Sequence, residues 1–106
     1  MDLRQLEYLV AVDDHGSFTS AARAMHVAQP SLSHGIRGLE TELGVELFVR
    51  LGRTIAVTAA GREVIQAARH VLRDVADLTV AAAAVSSLTT GTLDVELLRP
   101  TEERGA

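Results

Sequence analysis

The fold is decided by the stretch Ser17-Phe18-Thr19-Ser20-Ala21-Ala22-Arg23-Ala24-Met25-His26-Val27-Ala28-Gln29-Pro30-Ser31-Leu32-Ser33-His34-Gly35-Ile36-Arg37-Gly38-Leu39-Glu40-Thr41-Glu42-Leu43-Gly44. Phe18, Ala21, Ala22 and Met25 follow one another at i, i+3, i+4 and i+7, which places them on one face of a short helix that Ser17 is suited to cap. Ala21 and Ala22 are small enough to let another helix come close. After His26-Val27-Ala28 the pair Gln29-Pro30 starts a new helix, because proline is tolerated in a first turn where its missing N–H would be unpaired anyway. The apolar stripe of that helix is Leu32, Ile36, Leu39 and Leu43, and Gly44 ends it. Two short helices joined by a tight turn form a helix-turn-helix.

Upstream, Leu3, Leu6 and Val10, with Leu9 and Val12 beside them, recur at helical spacing, and Gly16 supplies the stop. Downstream, residues 46–50 and 54–57 read as two brief strands joined through Leu51-Gly52-Arg53, a hairpin whose glycine can take a positive φ. Thr58 then caps a long helix over residues 59–87, with Val64, Ala68, Val71, Val75, Leu78, Ala82 and Val85 alternating spacings of four and three as a heptad seam. At ~1.5 Å rise per residue it is roughly 40 Å long, more than a small head can cover. Leu88-Thr89-Thr90-Gly91 reads as a hinge, and Leu93, Val95 and Leu97 alternate like the first strand of a further domain. The expected organisation is mainly α: a winged helix-turn-helix at residues 1–58, a linker and dimerisation helix at 59–88, and a hinge with a disordered tail at 89–106.

Composition narrows the function classes. The 106 residues contain no cysteine, which excludes disulfides and thiolate metal sites, and no charge-free apolar span or leader is apparent, so a cytoplasmic protein without a membrane partner is expected. The formal net charge of −4 argues by itself against a nucleic-acid partner. Its distribution argues the opposite. Residues 15–39 and 47–62 contain no Asp or Glu, yet hold Arg23, Arg37, Arg50, Arg53 and Arg62, and all ten basic residues of the chain are arginine, the side chain suited to forked contacts with phosphate and guanine.

On these grounds the second helix of the pair is expected in a DNA major groove, where residues of its first turns reach base edges. Gln29 can pair with adenine, Ser33 can donate or accept, and His34 and Arg37 can reach guanine or phosphate. Arg50 and Arg53 on the hairpin can hold the backbone or the neighbouring minor groove. Taken singly, Gln29, Ser31 and Ser33 read equally well as solvated or capping residues, and Arg37 as the partner of a nearby acid. Phe18 and the other apolar positions read as core only, and the acidic pair Asp13-Asp14 as solvated surface.

An ordered series of motifs decides between these readings. Ser17-Phe18-Thr19-Ser20-Ala21-Ala22, Val27-Ala28-Gln29-Pro30-Ser31-Leu32-Ser33, Ile36-Arg37-Gly38-Leu39-Glu40-Thr41-Glu42-Leu43-Gly44, Leu47-Phe48-Val49-Arg50 and Thr58-Ala59-Ala60-Gly61 are collinear with the motifs of LysR-type transcription regulators, and the chain resembles that family over about residues 1–90. The resemblance implies a sequence-specific regulator that binds a dyad-symmetric operator in double-stranded DNA as a homodimer through antiparallel linker helices, with a tetramer open to the full-length protein. It also implies a sensor domain after the hinge, through which alone a small-molecule effector would act. Carried across by position, Gln29, Pro30, Ser31, Ser33 and His34 fall where the family's base-reading residues lie and Arg53 falls at the wing; Thr19, Arg37 and Arg50 complete the expected DNA-contacting set. No cofactor is implied. Two departures stand out. Members commonly carry Arg or Lys followed by Gln where this chain has His34-Gly35, and Gly38 is a second glycine in the recognition helix. Each interior glycine costs about 1 kcal/mol relative to alanine.

Three other readings stay open at this level. One is a protein-interaction module using Glu40, Glu42 and Glu46, and another is a winged-helix regulator outside the LysR type. The third, an enzyme, is disfavoured, because no nucleophile, base and orienting group come together in the pattern.

Overall fold

The computed structural model describes the backbone of residues 1–96 and the side chains of residues 1–88. Its elements run α1 (Leu3–His15), α2 (Phe18–Met25), α3 (Gln29–Leu43), β1 (Phe48–Leu51), β2 (Thr54–Val57) and α4 (Ala59–Glu96). Each boundary has a local cause. Asp2 and Gln5 form a reciprocal capping box at the start of α1, and Gly16, at φ 77°, ends it. The Ser17 hydroxyl accepts from the Ser20 amide at 3.0 Å to open α2. Pro30 stands in the first turn of α3, and Gly44, at φ 74°, closes it. β1 and β2 pair antiparallel from Phe48↔Val57 to Leu51↔Thr54, which leaves Gly52-Arg53 as the loop, with Gly52 at φ 62°.

Contacts divide the chain into Met1–Arg73 and the part that begins at Asp74. The first unit holds one aliphatic core. Leu9, Val12, Leu32, Ile36, Leu39 and Leu47 are fully buried, closed over by Leu6, Tyr8, Phe18, Ala21, Ala22, Phe48, Ile65 and Ala68. At roughly 1.5–3 kcal/mol per large side chain, this burial is the main stabilising term. In the part from Asp74, the described side chains are exposed apart from half-buried Val75, and the Thr79 hydroxyl donates to the Val75 carbonyl at 3.1 Å. No helix among the described residues is long and apolar enough to cross a membrane.

The glycines of α3 have a packing reason. A Cβ on Gly35 would lie 2.7 Å from the Tyr8 ring, and one on Gly38 would lie 3.1 Å from Gln5 Nε2. Gln5 Nε2 in turn donates to the Gly35 carbonyl at 3.2 Å. The helical propensity lost at these positions is therefore offset by the close approach of α1.

Three expectations are corrected. β1 begins at Phe48 and not at Glu46, because the carbonyls of Glu46 and Leu47 are taken by the Thr58 hydroxyl at 2.6 and 3.3 Å and so are drawn toward α4 instead of the ladder. The helix runs on through residues 88–91, expected as a hinge, and through Leu93 and Val95, expected as a strand. The sequence there offers one glycine as a breaker and no proline before Pro100, so nothing removes a helical donor. Leu97 and the tail fall outside the described residues. Finally, Val64 and Ala68 of the expected seam belong to the head: Ala68 is 2% exposed, and Val64 and Leu72 pack on the core beside Ile65. The cause is Gly61, where a Cβ would run into the Leu47 carbonyl, so the first turns of α4 lie directly on the chain entering the wing.

That contact gives a direct test. Gly61→Ala gains helix propensity of about 1 kcal/mol, yet it must push α4 off the Leu47 backbone, an overpacking cost of about 1–3 kcal/mol. Urea unfolding is expected to show a net loss of stability; a variant more stable than the parent would show that α4 does not sit on Leu47.

Candidate nucleic-acid interface

Of the expected contact residues, Thr19, Pro30, Ser31, His34, Arg37, Arg50 and Arg53 are exposed, and Gln29 is half-buried. Pro30, His34 and Arg37 fall on one face of α3 at three- and four-residue steps, with the uncapped N-terminus of the helix at their end. Among the described residues, neither Arg37 nor Arg50 lies within 4.0 Å of a carboxylate, whereas Arg4 and Arg69 are both paired with acids.

Ser33 is placed differently from the expectation. It is 8% exposed, and its hydroxyl accepts from Gln29 Nε2 at 3.0 Å. It therefore stands behind Gln29 and fixes the amide of the neighbouring side chain one turn earlier. Periodicity puts the two residues on one face, but only packing shows which of them is in front.

Two residues to which the sequence reading gave no DNA-contacting role shape this surface. Phe18 packs edge-on against Phe48, with ring centroids 5.7 Å apart, and carries the Arg50 guanidinium over its face at 4.7 Å. Glu40 turns its carboxylate onto the entry to the wing, where Oε2 accepts from the Leu47 amide at 2.8 Å and the Phe48 amide at 3.4 Å. The acid at the end of the recognition helix is thus a brace for β1. Its only sequence signal was its place in the Leu39-Glu40-Thr41-Glu42-Leu43-Gly44 motif. Asp13 and Asp14 each accept from Arg69 at 2.7 Å, tying the end of α1 to α4. Those hydrogen bonds, to Asp14 first and then Asp13, raise the Arg69 pKa above its ordinary value.

The family model for bacterial regulatory helix-turn-helix proteins of the lysR family matches residues 3–62. The chain belongs to the LysR family. A curated relative, the DNA-binding transcriptional dual regulator OxyR of Escherichia coli (strain K12), is 44% identical over 98 residues, 92% of this chain and 32% of its own length. The hydrogen peroxide-inducible genes activator of Pectobacterium carotovorum has the same identity and coverage. The chain therefore spans about a third of the length of these relatives. Among solved structures, the DNA-binding domain of BenM in complex with catB site 1 DNA matches at a TM-score of 0.78 and 39% identity, over 82% of this chain and 94% of that one. The DNA-binding domain of CbnR, also in a DNA complex, matches at 0.77 and 36% identity, over 81% and 99%. Both are winged helix-turn-helix domains in fold, as is this head.

The brace predicts a stability effect. Glu40→Ala strands a fully buried amide at Leu47, at a cost of about 1–3 kcal/mol, while Glu40→Gln keeps an acceptor and loses less. Thermal unfolding of the two variants should rank them in that order. Equal midpoints for Glu40→Ala and the parent would remove the role.

Proposed function

We propose that this LysR-family chain is the DNA-binding and dimerising part of a transcription regulator, which places α3 in the major groove of a dyad-symmetric operator and lays its wing along the adjacent backbone or minor groove. The observation that carries the reading is the pair Arg37 and Arg50 on α3 and the wing, neither within salt-bridge distance of an acid among the described residues, in a chain that matches nearly the whole of two domains solved with DNA. Gln29, steered by Ser33, reads a base edge, with Pro30, Ser31 and His34 beside it. Thr19, Arg37, Arg50 and Arg53 hold the duplex. A histidine at position 34 carries no permanent charge, so more of the grip falls to the arginines.

Dimerisation is assigned to α4 beyond the part the head covers. Val71, Leu78 and Val85 are 41%, 68% and 63% exposed, Ala82 is exposed, and Val75 is half-buried. Such a stripe is covered by its copy from a second chain, and the two-fold axis then presents two recognition helices to two half-sites.

The duplex immediately upstream of the protein's own gene is the test substrate. Binding is expected with log K falling linearly in log salt, and a folded protein showing no binding above background at low salt would sink the reading. Gln29→Ala should cost roughly 1–3 kcal/mol on the preferred site and little on random DNA, whereas Arg53→Ala should weaken both. Equal losses on both duplexes for Gln29→Ala would remove it as a reader.

The exposed stripe is tested separately with Leu78→Asp, a change that leaves the core of the head untouched. Sedimentation should show a monomer, and specific affinity should fall by about 10²-fold or more through lost bivalency. A dimer that survives the substitution would show that another surface joins the chains.

A further inference from the structure

We infer that the hollow between the start of α2, the outer face of α3 and β1 is the seat of one DNA backbone phosphate, in which Phe18 holds Arg50 ready for the anion. The inference rests on the DNA-binding reading above and names the ligand of one part of that surface. The hollow is lined by Phe18, Ser33, Arg37, Glu40, Phe48 and Arg50, with Ile36 at its floor.

Four features make it a phosphate seat. Arg37 and Arg50 border it from two different elements and neither is neutralised by an acid among the described residues. Ser33 is more than nine-tenths buried, and its oxygen is occupied as an acceptor by Gln29, so the hydroxyl proton is left to donate into the hollow that it lines. Glu40, the one acid in the lining, has Oε2 bound to the Leu47 and Phe48 amides, and its single negative charge is outnumbered by the two arginines. The guanidinium of Arg50 lies over the Phe18 ring at 4.7 Å, and Phe18 is itself wedged edge-on against Phe48. An arginine on an exposed strand ordinarily loses rotamer freedom when it meets an anion. Here the contact with Phe18 already restricts it, and its N–H donors make no hydrogen bond or ion pair among the described residues. Phe18 is thus a positioning residue, in addition to its place in the core.

The seat is independent of base sequence, so a random-sequence duplex is the probe, with the 106-residue chain as it stands. Arg50→Ala and Arg37→Ala should each reduce the slope of log K against log salt by about 0.9, the value for one phosphate contact. Arg50→Lys and Phe18→Leu keep every charge; they should preserve the slope and weaken binding about two- to fivefold, the range of an exposed cation–π contact. In the Arg50→Ala background, Phe18→Leu should have no further effect. If Phe18→Leu weakens binding equally with and without Arg50, it acts through packing alone and the positioning role is overturned. Should Phe18→Leu fail to fold, Arg50→Lys, a surface change, carries the same test: unchanged affinity overturns the preset geometry. Duplex binding by the parent with an unaltered slope in Arg50→Ala overturns the seat but not the DNA-binding reading, whereas no duplex binding by the parent overturns both. Inorganic phosphate at millimolar concentration should leave the Arg50 side-chain signals unshifted, because an open seat holds an anion only when the rest of a duplex is docked. Saturable shifts would assign the hollow to a small free anion and overturn the inference.

Discussion

The structure depends on the peptide of one buried residue, Leu47. Its side chain is fully buried, its amide donates to Glu40 of α3, and its carbonyl accepts from the amide and hydroxyl of Thr58 at 3.1 and 3.3 Å. Against that same carbonyl lies Gly61, with no room for a side chain. Recognition helix, wing and long helix therefore meet at one point. A buried residue must pair both of its backbone polar groups, and here each pairing also fixes the position of an element. The Thr58 hydroxyl serves both sides of the junction, donating toward the wing entry and accepting from the Gly61 amide at 2.8 Å as the cap of α4.

The same economy governs how α3 is held. Its inner face is apolar, but its side toward α1 is made of backbone, since Gly35 and Gly38 let Tyr8 and Gln5 come close. A helix of low intrinsic propensity is thereby stabilised by tertiary contact. On the side toward the wing, Glu40 braces the start of β1, and Ser33, turned inward, converts burial through Gln29 into the placement of a surface side chain.

Electrostatically, several acids of the head are answered locally. Asp13 and Asp14 lie in the last turn of α1, where the helix dipole disfavours negative charge, and Arg69 offsets both. Glu42 meets the N-terminal amine, Glu7 meets Arg4, and Glu40 meets the wing amides. Among the described residues, Arg37 and Arg50 have no such acidic partner on the side where α3 and the wing lie, so a negative total charge coexists with unpaired arginines on that side.

The sequence by itself determined the order of helices, the caps at Ser17, Gly44 and Thr58, the turn at Gly52 and the residues of the core stripe, because these follow from period, backbone freedom and local hydrogen bonding within a few neighbouring positions. The family was legible from an ordered series of such local motifs. Tertiary structure alone decided what depends on distant parts of the chain coming together. It put Ser33 behind Gln29, gave Glu40 to the wing, laid Arg50 on Phe18 and set Asp13 and Asp14 against Arg69. It also took Val64 and Ala68 from the heptad seam into the core of the head. A heptad records that a helix face is apolar and not what covers it; that answer came from the fit of Gly61 against Leu47, a steric fact between two residues whose closeness no local pattern encodes.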